Sequence, residues 1–335
     1  MRPLAYVGVV FLVGTLLLIV VLVARRSFLR RQAKVRGELV ERLRPVAIAF
    51  VDSQEPEPAP ELHGRESEVF AELLGRYARN LRGAAWGRIA AYFEETGGVD
   101  EQLGRLQSRR AWRRATAAFT LGDMCARRVV PELVAALDDR VRDVRMAAAR
   151  SLGRLGAVEA IEPLIASTIS GGVPRDVGGL ALLDLGPPGV PRLVELSSST
   201  EPAIRSGAIE LIGLLGEAGN AEPLLDHLRD PAAGVRTASA TALGRLGAGE
   251  ARDALVRALD DRVPDVRAAA ARALGQTGGQ RAADALLPVA RSDVFEPARA
   301  AAQALARIDP RRVVEAAVEP DAGPHLREAA DLVSL

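Results

Sequence analysis

One cysteine, one lysine and three histidines occur among 335 residues, and aromatic side chains make up only 4% of the chain. Cys125 has no second cysteine with which to close a disulfide, and a lone thiol at a helical position reads as a small apolar core residue rather than a nucleophile. His63, His227 and His325 have no cysteine or histidine at ligand spacing beside them, so neither a metal nor any other cofactor is expected. The chain also lacks a GxxxxGK[ST] phosphate loop, a GxGxxG behind a strand and a GxSxG elbow. The acid pairs Asp138-Asp139 and Asp260-Asp261 recur at one position of a repeat, which assigns them to helix capping rather than acid–base work. No side chain stands out as a candidate acid, base or nucleophile, and the chain is not expected to be an enzyme. Scarce aromatics with abundant alanine exclude a bulky globular core and a sheet, leaving an all-α chain of closely packed helices. Excess charge of either sign is missing too: 44 basic and 43 acidic residues leave a net charge of +1, which removes any chain-wide electrostatic case for nucleic acid.

Long hydrophobic runs are absent apart from one. LAYVGVVFLVGTLLLIVVLVA, from Leu4 to Ala24, carries no charge and as a helix is long enough to cross ~30 Å of hydrocarbon. Arg25 and Arg26 follow directly where a cleaved signal would show a small-x-small site, so the run reads as a retained anchor over residues 1–25. Eight basic residues lie between Arg25 and Arg44 against two acids, Glu38 and Glu41, whereas Arg2 is the only basic side chain before the run. This asymmetry predicts a single-pass protein with its N-terminus outside and its C-terminal part in the cytoplasm. The basic cluster is also placed to touch anionic lipid headgroups, at about 1 kcal/mol per cation near the surface.

Residues 26–63 read as a basic juxtamembrane helix ending near Pro45, a short apolar run VAIAFV, and the acidic proline-rich spacer DSQEPEPAPE, too polar to fold alone. In the following segment, 64–108, Val69, Phe70, Leu73, Leu74, Tyr77 and Leu81 fall on one helical face, and Trp86, Ile89 and Phe93 on another before Gly97-Gly98. Seven of the twelve aromatic residues lie between Phe70 and Phe119. A terminal cap that must close its own core accounts for them, and an aromatic contact patch is the alternative.

Residues 109–335 repeat. DVRMAAARSLG at 143–153 returns as DVRAAAARALG at 265–275, and aligning on the arginine gives Arg114, Arg145, Arg175, Arg205, Arg236, Arg267 and Arg299, spaced by 31, 30, 30, 31, 31 and 32 residues. Leu133, Leu164, Leu193, Leu224, Leu255 and Leu286 form a second column, so each of about seven repeats contains two helices. The first ends on Gly122, Gly153, Gly213, Gly244 or Gly275; the third repeat departs, with Gly178-Gly179 inside its first helix and Leu183 in the glycine column. Internal glycine costs up to about 1 kcal/mol relative to alanine, which makes this repeat the softest joint of the stack.

The registered Asp, Val-Arg, small-residue and Leu-Gly pattern resembles the HEAT-repeat superfamily, in particular the short bacterial repeats related to phycobilisome-lyase HEAT-like proteins, over about residues 109–320. The resemblance implies a right-handed α-solenoid of stacked helix pairs of bacterial type; joined to the apolar run read above, it gives one N-terminal transmembrane helix followed by the array, in a bacterial plasma membrane. It implies a hydrogen-bonded ladder between repeats, carried onto Arg145, Arg236 and Arg267 with Asp143, Asp230, Asp261 and Asp265. In such solenoids the second helices line the concave face, where two adjacent columns carry Glu132, Glu162, Arg192, Glu222, Asp253 and Asp284, a strip of five acids among six residues. That strip is the candidate groove for a protein partner. The expectation is a membrane-anchored scaffold or adaptor for a membrane-associated protein such as a cell-envelope enzyme. A bilin lyase or isomerase is the enzyme alternative that the resemblance implies, and a HEAT-like nucleic-acid-binding protein is the third; the anchor opposes the former and charge neutrality the latter.

Overall fold

The computed structural model describes the backbone of residues 2–53, 60–81, 83–292 and 294–333 and, within these, the side chains from residue 18 onward except that of Ser292. Among the described residues there are nineteen α-helices and no strand. Two compact units result, one of residues 1–102 with 123–126, the other of residues 103–122 with 127–335.

In the first unit α1 spans Arg2–Asp52 without interruption. The expected stop near Pro45 is not found: proline sits inside the helix, and VAIAFV is its last turns. The ring removes one backbone hydrogen bond and costs about 3 kcal/mol. Leu43, Ala47, Phe50 and Val51 share the same face and are buried, and full burial of a leucine or phenylalanine returns roughly 1.5–3 kcal/mol each, enough to hold the helix through the break. That face packs on α2 (Arg65–Ala78) and α3 (Ala84–Glu95), and Arg36 and Arg42 pair with Glu72 and Glu66 of α2. Phe50, Phe70, Tyr92 and Phe93 meet edge to face at centroid separations of 5.3–6.1 Å, so these aromatics close a core. Trp86 donates its indole N–H to the Ala78 carbonyl at 2.9 Å. Gly97, at φ +70°, makes the turn between α3 and α4 (Gly98–Leu106). Cys125 is buried.

Among the described residues no helix is long and apolar enough to cross a membrane. Most of the expected anchor, residues 4–17, lies outside the described side chains, as does spacer segment 54–59. The described end of the apolar run, Leu18 to Val23, is more than half exposed at every residue.

The second unit is a stack of helix pairs. They are α5 (Ala111–Asp123) with α6 (Val130–Ala135), α7 (Arg142–Arg154) with α8 (Ile161–Ile169), α9 (Arg175–Asp184) with α10 (Val190–Leu196), and α11 (Pro202–Leu215) with α12 (Glu222–Leu225). Next come α13 (Ala233–Arg245) with α14 (Arg252–Ala258), α15 (Pro264–Thr277) with α16 (Gln280–Ser292), α17 (Phe295–Ile308) with α18 (Pro310–Ala317), and a last helix α19 (Pro324–Val333). First helices pack on first helices: α7 on α9, α11 on α13, α13 on α15 and α15 on α17. The alanines make this possible, since Ala147 to Ala149 and Ala268 to Ala271 are all buried between neighbours.

Candidate protein-binding surfaces

The arginine column lies near the start of the first helices and holds one repeat to the next. Arg114 grips Asp139 through Nε and Nη2 at 2.7 and 2.8 Å, Arg205 grips Asp230 at 2.9 and 3.0 Å, and Arg236 grips Asp261 at 2.7 and 3.0 Å. Each aspartate stands twenty-five residues after its arginine, at the end of the same repeat. Its Oδ1 also accepts the backbone N–H two residues on, from Val141, Ala232 or Val263, at 2.8 Å, which fixes the turn leading into the next first helix but does not cap it as the sequence suggested. Its carbonyl accepts from the next arginine: Arg145 on Asp139, Arg236 on Asp230 and Arg267 on Asp261, all at 2.8 Å. One aspartate thus ties three segments together. Arg114 holds the Asp139 carboxyl below the usual carboxylate range. At Asp230 and Asp261 burial pulls upward, but the guanidinium and the backbone N–H prevail and both carboxyls end below it too. Asp143 and Asp265, which the resemblance placed in the ladder, are exposed.

Three arginines of the column behave differently. Arg145 keeps its bond to the Asp139 carbonyl but pairs with no carboxylate among the described residues, and it turns its Nε to the Gly172 carbonyl. Arg299, displaced by the 32-residue spacing, pairs with Glu296 in its own helix and lies over the Phe295 ring. Arg175 is exposed and has no hydrogen-bonded or ion-paired partner among the described residues, because Thr200 occupies the aspartate position.

The glycine column explains the close approach of the first helices. A Cβ on Gly122 would lie 2.8 Å from the Ser151 Cα, on Gly153 or Gly213 2.7 Å from that of Ala181 or Ala242, on Gly244 2.7 Å from that of Ala273, and on Gly275 3.0 Å from that of Ala304. Glycine against a small residue is therefore the rule at five junctions. At the remaining one, Leu183 replaces the glycine and Leu211 stands where Ser151, Ala181, Ala242, Ala273 and Ala304 stand elsewhere. Two leucines cannot interlock at that distance, and α11 rests on α8 and α10 as much as on α9. A cleft of about 450 Å³ opens there, walled by Ile165, Ile169, Leu182, Leu183, Leu211 and Leu214, with Arg175 and Glu210 also at its lining. Of the glycine pair in α9, Gly178 is demanded by the close approach of the Thr168 side chain, whereas Gly179 borders the open cleft.

The second-helix column is less acidic than its letters suggest. Arg192 pairs with Glu162 at 3.2 Å and with Glu195 at 2.6 Å, Arg281 pairs with Asp253 at 2.9 Å, and Arg312 pairs with Asp284. The pairs to Glu162, Asp253 and Asp284 bridge one repeat to the next and form a second, more exposed ladder. Arg312 pulls the Asp284 carboxyl below its usual range. Glu222 is exposed without an ion pair among the described residues, and Oε2 of the half-buried Glu132 accepts no hydrogen bond.

No group of three or more His, Cys, Asp or Glu that could hold a metal occurs among the described residues. His227 is half-buried with Nε2 3.2 Å from the Ser197 hydroxyl, and burial lowers its pKa. His325 stacks edge-on to Phe295 at 4.7 Å.

Comparison with known proteins finds HEAT repeats over residues 102–175 and 221–306. No curated protein matches the chain. Solved structures similar to it include human deoxyhypusine hydroxylase in complex with glycerol (21% identity, 82% of this chain and 98% of that one, TM-score 0.34). Others are the CpcE–CpcF complex of phycocyanin lyase from Nostoc sp. (20%, 84% and 99%, TM-score 0.32) and the Escherichia coli protein YibA (17%, 84% and 99%, TM-score 0.40).

Proposed function

We propose that the chain is a membrane-anchored adaptor whose repeat array binds a protein partner at the cytoplasmic face of a bacterial plasma membrane. HEAT repeats generally mediate protein interactions. The observation that carries the reading is the array itself: the registered arginines, aspartates and glycines hold one repeat to the next, and what they leave for other molecules is surface. The anchor is supported by Leu18 to Val23, six consecutive apolar residues exposed around the whole circumference of a helix, which suits a lipid surround. The basic residues from Arg25 to Arg44 fit the cytoplasmic headgroups of that membrane. Confinement to the same membrane as the client raises its effective concentration, so a weak intrinsic affinity suffices. The client is a membrane-associated protein such as a cell-envelope enzyme. Photocrosslinkers at Glu132 and Glu222 in native membranes, read by mass spectrometry, should recover a defined client, and a C-terminal phosphatase fusion that works only outside the cytoplasm should be silent. Crosslinks to bulk membrane protein without enrichment, or an active fusion, would overturn the proposal.

A further inference from the structure

Three departures from the repeat converge on one junction: Thr200 for aspartate, Leu183 for glycine and Leu211 for a small residue. Arg175, left unpaired by the first, and the two leucines all border the same cleft. A second groove, of about 560 Å³, shares Ser206, Glu210 and Leu214 with it and continues across α13 to Val263 and Asp265. We infer that this continuous groove on the first-helix face seats an amphipathic helix of the protein partner, its apolar stripe in the cleft and a carboxylate on Arg175. The inference rests on the adaptor reading and specifies a surface for it other than the second-helix column.

Charge and shape both point to that occupant. At Arg114, Arg205 and Arg236 the same guanidinium closes a two-pronged bond on a carboxylate, so Arg175 presents an identical fork with the acid missing. Beside it Ile169, Leu183 and Leu214 are 46%, 38% and 51% exposed, three apolar side chains gathered at one cleft. Glu210 on the α11 wall also has no ion-paired partner among the described residues, so a basic side chain one or two turns along the incoming helix would meet it. Crossing from α9 to α15 takes three interhelix steps of about 8–10 Å, the length of a helix of roughly 16–20 residues. An extended peptide would bring unpaired backbone groups to walls made of helices, which offer no strand edge to receive them, whereas a helix satisfies its own.

The test is a display selection on the full chain in lipid nanodiscs. Its probe is a library of 18-residue peptides with leucines at i, i+3, i+4 and i+7 and the flanking positions drawn from Glu, Gln and Lys. Glutamate should be enriched at one end of the apolar stripe, and Arg175→Glu should turn that preference to lysine. Leu214→Glu should lower recovery at least tenfold, while Glu250→Lys, exposed and outside both grooves, should leave it unchanged. Both Arg175 and Leu214 are solvent-facing, and an unchanged helical melting curve confirms folding; if Leu214→Glu disturbs it, the Arg175→Glu preference decides alone. Recovery indifferent to Leu214→Glu in a folded chain, or no acidic preference on the wild-type chain, overturns the inference. Should the Leu214→Glu chain still capture its client in native membranes, the adaptor reading stands and the cleft is not its site; peptide selection without any client in membranes would leave the cleft and remove the adaptor.

Discussion

Replacing Asp230 by alanine removes more than one contact. The carboxylate takes two bonds from Arg205 and the Ala232 backbone N–H, and both side chains of the pair are nearly enclosed, at 12% and 8% exposure. Bonds to a charged group contribute about 1.5–3 kcal/mol net, and loss of the turn bond from the Ala232 N–H adds about 0.5–1.5 kcal/mol. The two overlap because one carboxylate serves both, and Arg205 keeps its bonds to the Ser199 and Thr200 carbonyls. A loss of about 2–4 kcal/mol follows. Glu162→Ala breaks an exposed pair, 39% and 50% open to solvent, and should cost no more than about 1 kcal/mol. Urea unfolding of the full chain in detergent, followed by helical circular dichroism, compares the two, and Arg205→Ala with the double mutant completes a cycle expected to show coupling of about 1–2 kcal/mol. Equal midpoints for Asp230→Ala and Glu162→Ala with unchanged slopes, or a cycle without coupling, would refute the ladder as the bond between repeats.

Gly213→Ala puts a methyl 2.7 Å from Ala242 and should destabilise by about 1–3 kcal/mol, whereas Gly219→Ala, with nothing within 4 Å, should be near neutral in the same melts. Asp139, Asp230 and Asp261 have folded pKa values below the unfolded value of about 3.9, so the stabilisation is fully present above about pH 4 and is lost as pH falls through the folded values. Melting temperature should therefore drop with acid below about pH 4, less steeply in Asp230→Ala; a flat profile there would count against the assignment. Thr200→Asp supplies the missing carboxylate to Arg175 and should stabilise by up to about 1 kcal/mol while reducing peptide recovery in the selection, because the fork is then occupied; unchanged recovery would mean that Arg175 takes no part in binding.

The period of about 31 residues was readable because a helix pair has a fixed length, and any side chain that ties one pair to the next must recur with it. Arg114, Arg205 and Arg236 therefore stood out, as did Leu183 among the glycines. The acceptor of Arg145 did not, since a backbone carbonyl such as that of Gly172 leaves no letter in the sequence. Nor did Leu211: alone it is one more leucine in a helix, and its effect arises only across the junction from Leu183. The neutralising arginines of the second-helix column, Arg192, Arg281 and Arg312, lie 28–30 residues from their acids and so share no strict register. At Pro45 the local rule for proline was sound but lost to the burial of Leu43 and Phe50, which depends on α2 and α3 being in place.

Because each aspartate serves the repeat it closes and the one that follows, the unit from Asp230 to Asp260 is a removable part. Excising Asp230 to Asp260 would bring Asp261 twenty-five residues after Arg205 and set Gly213 against Ala273 in place of Ala242, one alanine for another. The array can thus be shortened by one whole unit on that side of the third repeat with the ladder and the glycine contacts kept in register. The unlike junction at Leu183 and Leu211 has no duplicate to take its place, so an excision that spans it would remove the cleft, whereas one beyond it leaves Arg175 and both leucines in place.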